Sequence, residues 1–470
     1  MRIQHQPGVE PLLDLLQAEA GARGVRAFLV GGYVRDRVMG LSVRELDVVV
    51  EGGAGIELAN AVAARAGIRE PVIFERFGTA QLSYGDFVVE FVSARAESYL
   101  PDSRKPEVRP ATLEEDIRRR DFTCNTLLAG RDGEVIDLTG MGLADIEARL
   151  LRTPLPAAET FAEDPLRAVR AIRFAVSLDF EMAADIMPAI HGSLDRLASV
   201  VSIERVNDEL RRMLLSARPG SAFRLMRESG VLGRLMPEVE AMAGVEQTGF
   251  HNLDVLEHTL VALDAVAQRP EPHLVPRAET VLRLGMLLHD SGKPATASRE
   301  GERITFLGHP DVGAQLAGEM LRRLRFSNDE IGAVLRLIVL HMRPIQYDPA
   351  TWSDGAVRRL VRDGGEELTA LLELARADMG ASDYPPAEAE RKLGDLERRI
   401  ANLDVEAVRR AKPPLDGNQL MERYGRPPGR WIARVQSGLL DAVLDGEIGG
   451  ADEAAAWQYL ERNPGLLEEA

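Results

Sequence analysis

The stretch Leu29-Val30-Gly31-Gly32-Tyr33-Val34-Arg35-Asp36, followed by Arg44-Glu45-Leu46-Asp47-Val48-Val49-Val50, decides how this chain is read. An apolar run that enters Gly31-Gly32 and continues as a helical pattern is a strand, a tight turn and a helix. Backbone N–H groups at such a turn can approach a triphosphate closely, and the helix N-terminus favours its negative charge. Arg35 adds a guanidinium fork for the phosphates. On the next strand Glu45 and Asp47 are two apart, so the alternation of side chains points both carboxylates to one face. Carboxylates so placed suit two Mg²⁺ ions that clamp an attacking hydroxyl and a leaving pyrophosphate. Glu90, in the apolar run Phe87 to Val92, is a candidate third carboxylate on a neighbouring strand.

Around this centre the apolar β-rich runs Ala27 to Val30, Leu46 to Val50, Val72 to Phe74 and Phe87 to Val92 alternate with helical stretches such as Ile56 to Arg65. The period changes near residue 150. Beyond it, segments with helical apolar spacing dominate, among them Asp164 to Val176, Ile203 to Leu215 and Val281 to Leu288. The chain is therefore expected to be an α/β head over 1–150 with a small mixed sheet, followed by all-helical parts over 151–245, 246–385 and 386–470. At 470 residues it is long enough for several cores. The stretch Arg269 to Pro276 reads as a loop, and prolines at Lys412 to Pro414 and Arg426 to Pro428 punctuate the tail.

No apolar run approaches the roughly 18 residues of a bilayer span, and the start of the chain lacks a secretory pattern, so a cytoplasmic protein without a membrane partner is expected. The one cysteine, Cys124, forms no internal disulfide and is read as a small buried residue. The formal charge of −17 argues at first sight against a nucleic-acid partner. Arginines nevertheless cluster at Arg35/Arg37, Arg118 to Arg120, Arg167/Arg170/Arg173 and Arg211/Arg212, where forked donors can grip phosphates.

Gly-Gly-x-Val-Arg-Asp with a following acidic pair resembles the catalytic head of class II tRNA nucleotidyltransferases and bacterial poly(A) polymerases, members of the polymerase-β-like superfamily. The chain departs from that pattern at Glu45, where the family has Asp. Further motifs resemble the family in order. Glu115-Asp116-Ile117-Arg118-Arg119-Arg120-Asp121-Phe122-Thr123-Cys124-Asn125 is similar to its Arg-Arg-Asp-Phe-Thr-x-Asn segment, which implies nucleotide contacts for Arg119, Arg120, Asp121 and Asn125. Asp137 to Asp145 resembles the hinge between head and neck, and Ser202-Ile203-Glu204-Arg205 with Glu209-Leu210 resembles the neck helix below the nucleotide. The resemblance implies ATP and/or CTP and tRNA as partners, Mg²⁺ as cofactor of the head, and no obligate protein partner.

The motif Glu163-Asp164-Pro165-Leu166-Arg167-Ala168-Val169-Arg170-Ala171-Ile172-Arg173-Phe174 adds a means of choosing a base. Asp164 and Arg167 are three apart and are therefore expected as neighbours on one helical face, with Pro165 in the first turn. Cytosine and adenine share a ring-nitrogen acceptor beside an amino donor. Arg167 donating to the first and Asp164 accepting from the second would admit both bases without a template, with Arg170 and Arg173 toward the phosphates.

A second centre is spelled by His251 and His258, His289-Asp290, His309, His341 and Asp378, which take five of the eight histidines in the chain. Imidazoles and carboxylates in this series suit a one- or two-metal site that activates water against a phosphoester. The series resembles the HD phosphohydrolase superfamily, with His258, His289, Asp290 and Asp378 matching its core ligands and His309 and His341 matching the extra pair of two-metal members. Such a site accepts Mn²⁺, Fe²⁺, Ni²⁺, Co²⁺ or Mg²⁺. Past it, Leu415 to Leu420 and Gly425 to Gly429 resemble the helical tail that holds tRNA in the same enzymes.

Three activities follow from these readings. The chain adds C and/or A to tRNA ends, or it is a poly(A) polymerase, or it is an HD hydrolase with a degenerate nucleotide-binding head. A poly(A) polymerase would carry a basic extension, and none is visible. A degenerate head would have lost its carboxylates, and Glu45 is a partial step that way. The segment Ala94-Arg95-Ala96-Glu97-Ser98-Tyr99, with Pro101 and Pro106 after it, resembles the loop of the branch in which CC and A addition are divided between two enzymes.

Overall fold

The strand β1 (Ala27–Val30) lies inside the head sheet and ends at Gly31, which adopts φ 72° and ψ −133°, a conformation open to glycine. From there the chain enters helix α2 (Gly32–Val38) and returns as β2 (Glu45–Val50), antiparallel to β1 with Val30 opposite Asp47. A computed structural model gives these coordinates and describes residues 1–75, 78–98, 107–249, 252–269 and 276–468.

The head sheet adds β3 (Val72–Phe74), β4 (Thr79–Tyr84), β5 (Phe87–Ser93), β8 (Leu128–Ala129) and β9 (Val135–Ile136), in the order β3-β4-β5-β2-β1-β8-β9. Its one parallel pairing is β2 with β5; the other neighbours run antiparallel. The small mixed sheet expected from the sequence is therefore present. Between β5 and β8, the strands β6 (Arg95–Ser98) and β7 (Glu107–Pro110) form a separate hairpin.

Helices α1 (Val9–Arg23) and α3 (Gly55–Ala66) pack together, and α3 lies against β4 and β5. Val49, two residues beyond Asp47, shares a core with Leu113 and Ile117 of α4 (Leu113–Arg118). The helix α4 is held at its start by reciprocal bonds between Thr112 and Glu115. By the alternation along β2, Glu45 and Asp47 thus emerge on the face that α4 covers, beside the arginines at its C-terminal end.

After the short α5 (Gly142–Glu147) the chain becomes helical through α6 (Ala157–Glu163), α7 (Leu166–Leu178), α8 (Ile186–Val200) and α9 (Ile203–Leu214). The helical expectation needs two corrections: β10 (Leu150–Leu151) pairs in parallel with β11 (Glu181–Met182), and β12 (Ser298–Glu300) with β13 (Arg303–Thr305) forms a hairpin. A third correction concerns Asp164. It is not helical but extended, at φ −134° and ψ 99°, because the following Pro165 disfavours the α conformation at the residue before it. Asp164 and Arg167 therefore do not stand on one helical face.

The chain divides into two compact units, Met1–Met213 with Arg224–Leu235, and Leu214–Phe223 with Met236–Ala470. In the second unit the tail helices Gly417–Tyr424, Arg430–Asp445 and Glu453–Arg462 enclose their own core of Leu415, Leu420, Trp431, Val435, Leu439 and Leu460. No described helix is long and apolar enough to cross a membrane. Tyr99, Pro101, Pro106, His251 and most of the loop expected at Arg269 to Pro276 lie outside the described residues.

Candidate active sites

The register of the head sheet sets Asp47 beside Glu90 on the parallel neighbour β5, with Glu45 two residues before Asp47. Glu45 is exposed, Asp47 and Glu90 are half-buried, and Leu46 and Val48 between them are buried on the other face. Burial pushes the Asp47 carboxyl up and Glu45 adds to this, against the cations Arg120, Arg170 and Arg35. Burial likewise raises Glu90, and the charges of Asp47 and Glu45 reinforce it. Asp47 and Glu90, each raised by burial and by a neighbouring carboxylate, lie in an acidic field that a divalent cation would relieve. They do not, however, bring ligand atoms as close together as the histidine cluster does.

The turn at Gly31 is tight against this acidic face. A Cβ on Gly31 would stand 3.2 Å from Asp47 Oδ2 and 3.5 Å from Arg120 Nη1. Backbone, carboxylate and guanidinium thus converge at one point, and only a residue without a side chain leaves room for a ligand there. Arg119 and Arg120 both bond the buried Asp116, at 3.0 and 3.1 Å for their Nη2 atoms. Arg35 does not project as an open fork: buried, it donates to Asp36 Oδ1 (2.7 Å) and Asn125 Oδ1 (2.6 Å).

Several expected nucleotide contacts are instead joined to one another. Asp121 accepts from Phe122 N, Asn125 Nδ2 and Arg170, the last at 2.9 and 2.5 Å. Burial alone would raise its carboxyl, yet Arg170 and Asn125 hold it far below the ordinary range. Arg170 and Arg173 share the buried Glu209 of α9. Arg167 donates to Arg119 O (2.7 Å), Thr160 O and Glu163, whereas Asp164 accepts from Arg205 (2.6 Å) and from Leu166 N. The sequence reading missed Phe174 as the centre of this cluster. Its ring lies 4.0 Å from the Arg173 guanidinium, 5.3 Å from Arg35 and 5.4 Å from Arg170. The spacing of Arg170 four residues before it was the available signal. Cys124 is buried, as expected, and burial pushes its thiol up to about 12.

The second site is built by five helices or their ends. His258 stands in Val255–Gln268, His289 and Asp290 follow Pro276–Leu288, His309 opens His309–Arg323, His341 closes Asn328–Leu340, and Asp378 stands in Leu368–Gly380. Gly292 lets these parts meet, since a Cβ there would fall 2.1 Å from the His309 carbonyl oxygen. Two triads of ligand atoms result, His258/His289/Asp378 and Asp290/His309/His341, each within 4.8 Å and buried.

The Nδ1 atoms of His289, His309 and His341 sit 2.8, 2.8 and 2.6 Å from the carbonyls of Met286, Phe306 and Ile338. Assigned from these contacts, Nδ1 carries the proton and each Nε2 offers a lone pair inward. His309 Nε2 and His341 Nε2 then face each other at 3.2 Å. His289 Nε2 and Asp290 Oδ2 are 3.1 Å apart without hydrogen-bond geometry, and Asp290 Oδ2 also lies 2.7 Å from Lys293 Nζ in an ion pair, so we read the histidine–aspartate contact as two ligands side by side rather than as a bond. Burial opposes charge on His289, but Asp290 and Asp378 push its basicity up to about 10; burial and the neighbouring His289 press His341 down to about 4. Lone pairs and carboxylates aimed at shared points fit divalent metal ions. A cavity of about 960 Å³ opens on Asp290, His309, Asp378 and Lys293.

Comparison with known proteins gives the family and the fold. The family described as "Poly A polymerase head domain" matches residues 27–152, "Probable RNA and SrmB- binding site of polymerase A" matches 179–242, and "HD domain" matches 252–382. An A-adding tRNA nucleotidyltransferase of Deinococcus radiodurans is 32% identical over 452 residues, covering 93% of this chain and 96% of that one. The chain belongs to the tRNA nucleotidyltransferase family. Another member, a CC-adding tRNA nucleotidyltransferase of Thermus thermophilus, is 31% identical over 92% of both chains. The CCA-adding enzyme of Bacillus stearothermophilus, solved in complex with CTP, superposes with a TM-score of 0.67 at 24% identity over 98% of this chain and 99% of that one, a likeness of fold.

Proposed function

We propose that the head adds C and/or A to the 3′ end of tRNA, without a template, by metal-assisted nucleotidyl transfer. The observation that carries this reading is the convergence of Asp47, Arg120 and the Gly31 turn on the carboxylate face of β2. Full-length relatives named for A addition and CC addition support it, as does the order in which the motifs run.

Glu45 and Asp47, with Glu90 beside them, would hold Mg²⁺, which supplies charge neutralisation at the reacting phosphate and lowers the proton affinity of the tRNA hydroxyl. The Gly31-Gly32 turn offers backbone N–H groups to the triphosphate, with Arg119 and Arg120 as its cationic wall and Arg35 and Asn125 bracing the turn from behind. Arg170, Arg173 and Asp121 serve as the rigid floor under the nucleotide.

Asp164 and Arg167 select the base, giving up Arg205 and backbone or Glu163 partners in exchange for the base edge. Uracil and guanine would meet them donor to donor and acceptor to acceptor, a mismatch of roughly 1 to 3 kcal/mol per group and hence about a hundredfold or more in selection.

The HD domain we assign as a metal-dependent phosphohydrolase of phosphomonoesters or 2′,3′-cyclic phosphates. His258, His289, Asp290, His309, His341 and Asp378 would hold one or two transition-metal or Mg²⁺ ions that supply an activated water. We also keep the four-part division at residues 150, 245 and 385, and a cytoplasmic setting, where the tRNA substrate is matured. The test of the addition step uses three tRNAs, one lacking its whole 3′ CCA, one ending in C and one ending in CC, each with one labelled triphosphate. Addition of A only to the CC-ending substrate would make this an A-adding enzyme; addition of C only to the shorter two would make it CC-adding. Absence of both would defeat the reading.

A further inference from the structure

One buried carboxylate in the head touches both arginines of the cationic wall. Asp116, in α4, is wholly buried. Its Oδ1 accepts from Arg119 Nε and Nη2 at 3.2 and 3.0 Å, and its Oδ2 accepts from Arg120 Nε and Nη2 at 3.2 and 3.1 Å. A single carboxylate therefore grips the same edge of two consecutive guanidinium groups, while the backbone N–H of Arg95, at the start of the β6 hairpin, approaches Oδ1 at 3.4 Å.

We propose that Asp116 is a positioning residue for nucleotide addition: it aims Arg119 and Arg120 at the phosphates of the incoming nucleoside triphosphate. This rests on the nucleotidyl-transfer reading above. Three features support it. Because each Nε–Nη2 edge is turned inward to Asp116, the opposite edge of Arg120 is turned outward, and its Nη1 reaches the Gly31 turn. The Arg120 guanidinium, although anchored on Asp116, still opposes the proton affinity that burial gives Asp47, so a cationic edge stands against the acidic face of β2. Finally, the arginine side chains keep 21% and 20% of their surface exposed while Asp116 keeps none, so the pair presents an accessible rim on a buried anchor. Long flexible arginines would otherwise lose considerable side-chain entropy on meeting a phosphate; an anchor already in place removes that cost from the binding step.

The test is steady-state nucleotide addition by the full chain carrying Asp116→Asn, the pair Arg119→Ala/Arg120→Ala, and all three changes together. Asparagine keeps the shape and loses the charge. The expected result is a rise of about tenfold or more in KM for CTP or ATP with KM for tRNA near that of the wild type, and a lower melting temperature because both guanidinium groups lose their buried counter-charge. In the background lacking both arginines, Asp116→Asn should then change nothing further. An equal loss in that background, or a fall in kcat and melting temperature with KM for the triphosphate unchanged, would show that Asp116 only supports the fold. Should the asparagine variant fail to fold, Asp116→Glu keeps the charge and displaces both arginines, and CTP and ATP titrations of that folded protein should still weaken; unaltered affinity overturns the proposal. Failure of the wild type to add any nucleotide would instead overturn the reading of the head.

Discussion

Gly31→Ala adds one methyl group where β1 turns into α2. Two consequences can be worked from the structure. At φ 72° and ψ −133° a residue with a side chain is strained, which costs on the order of 1 to 3 kcal/mol. The new Cβ also stands 3.2 Å from Asp47 Oδ2, closer than ordinary contact, so the carboxylate or the turn must move by a few tenths of an ångström. A shift of that kind at a reacting centre lowers rate more than it lowers stability, and about 1 Å of misplacement is enough for roughly a hundredfold.

Single-turnover addition of labelled CTP or ATP to tRNA, beside a urea melt of the same protein, separates the two effects. We expect a loss of about 2 kcal/mol in stability and of one to two orders of magnitude in rate. Gly32→Ala is the matched control: its Cβ would lie 3.6 Å from Arg35 Nη2, an ordinary contact, and Gly32 opens a helix. That variant should lose no stability, since alanine is the better helix residue, so any loss of rate it shows reports the approach of the triphosphate and not backbone strain. Equal losses of stability at Gly31 and Gly32, or a Gly31→Ala enzyme of near wild-type rate, would refute the idea that the turn is pressed against the metal-binding face.

Further outcomes follow from the same contacts. Glu45→Asp should preserve or raise addition with Mg²⁺, because the shorter carboxylate stays on the same face of β2; a large loss in a metal titration would show a site built around the longer side chain. His289→Ala or Asp290→Ala should remove metal-dependent phosphohydrolysis and spare nucleotide addition, measured on the same preparation with Ni²⁺, Co²⁺, Mn²⁺ and Mg²⁺. No hydrolysis by the wild type with any of the four would reduce the HD domain to a scaffold. The Asp121 carboxyl is depressed in the folded protein, so its stabilising effect is present above the unfolded value near 3.9 and fades as pH falls below it. Asp121→Asn should therefore be less stable than the wild type at neutral pH, with the difference shrinking as urea melts are repeated below about pH 4; parallel curves would contradict the assignment.

The head was legible because β2 writes its geometry directly. Leu46, Val48 and Val50 alternate with Glu45 and Asp47, and a period of two fixes the face of each. The histidine centre was legible by residue type, since His258 and Asp378 are far apart in sequence but have few other uses in a buried core. Which of the six candidate ligands form each triad depends on helix packing, and no local pattern encodes that. Asp164 was misjudged because helical periodicity was carried through it, although Pro165 already forbade that conformation. Arg170 and Arg173 illustrate a deeper limit. A guanidinium meets a carboxylate of its own chain with the same geometry as a phosphate, so only the fold reveals that Asp121 and Glu209 occupy them.

The central claim is tested most directly by presenting wild-type protein and Asp47→Ala with all four labelled triphosphates, on a tRNA lacking its 3′ end and on an unstructured RNA of equal length. The wild type should add a short, defined stretch of C and/or A to the tRNA, stop, exclude U and G, and ignore the unstructured RNA. Asp47→Ala should still bind the tRNA but add nothing. Long A tails on both substrates, or undiminished addition by Asp47→Ala, would contradict the claim.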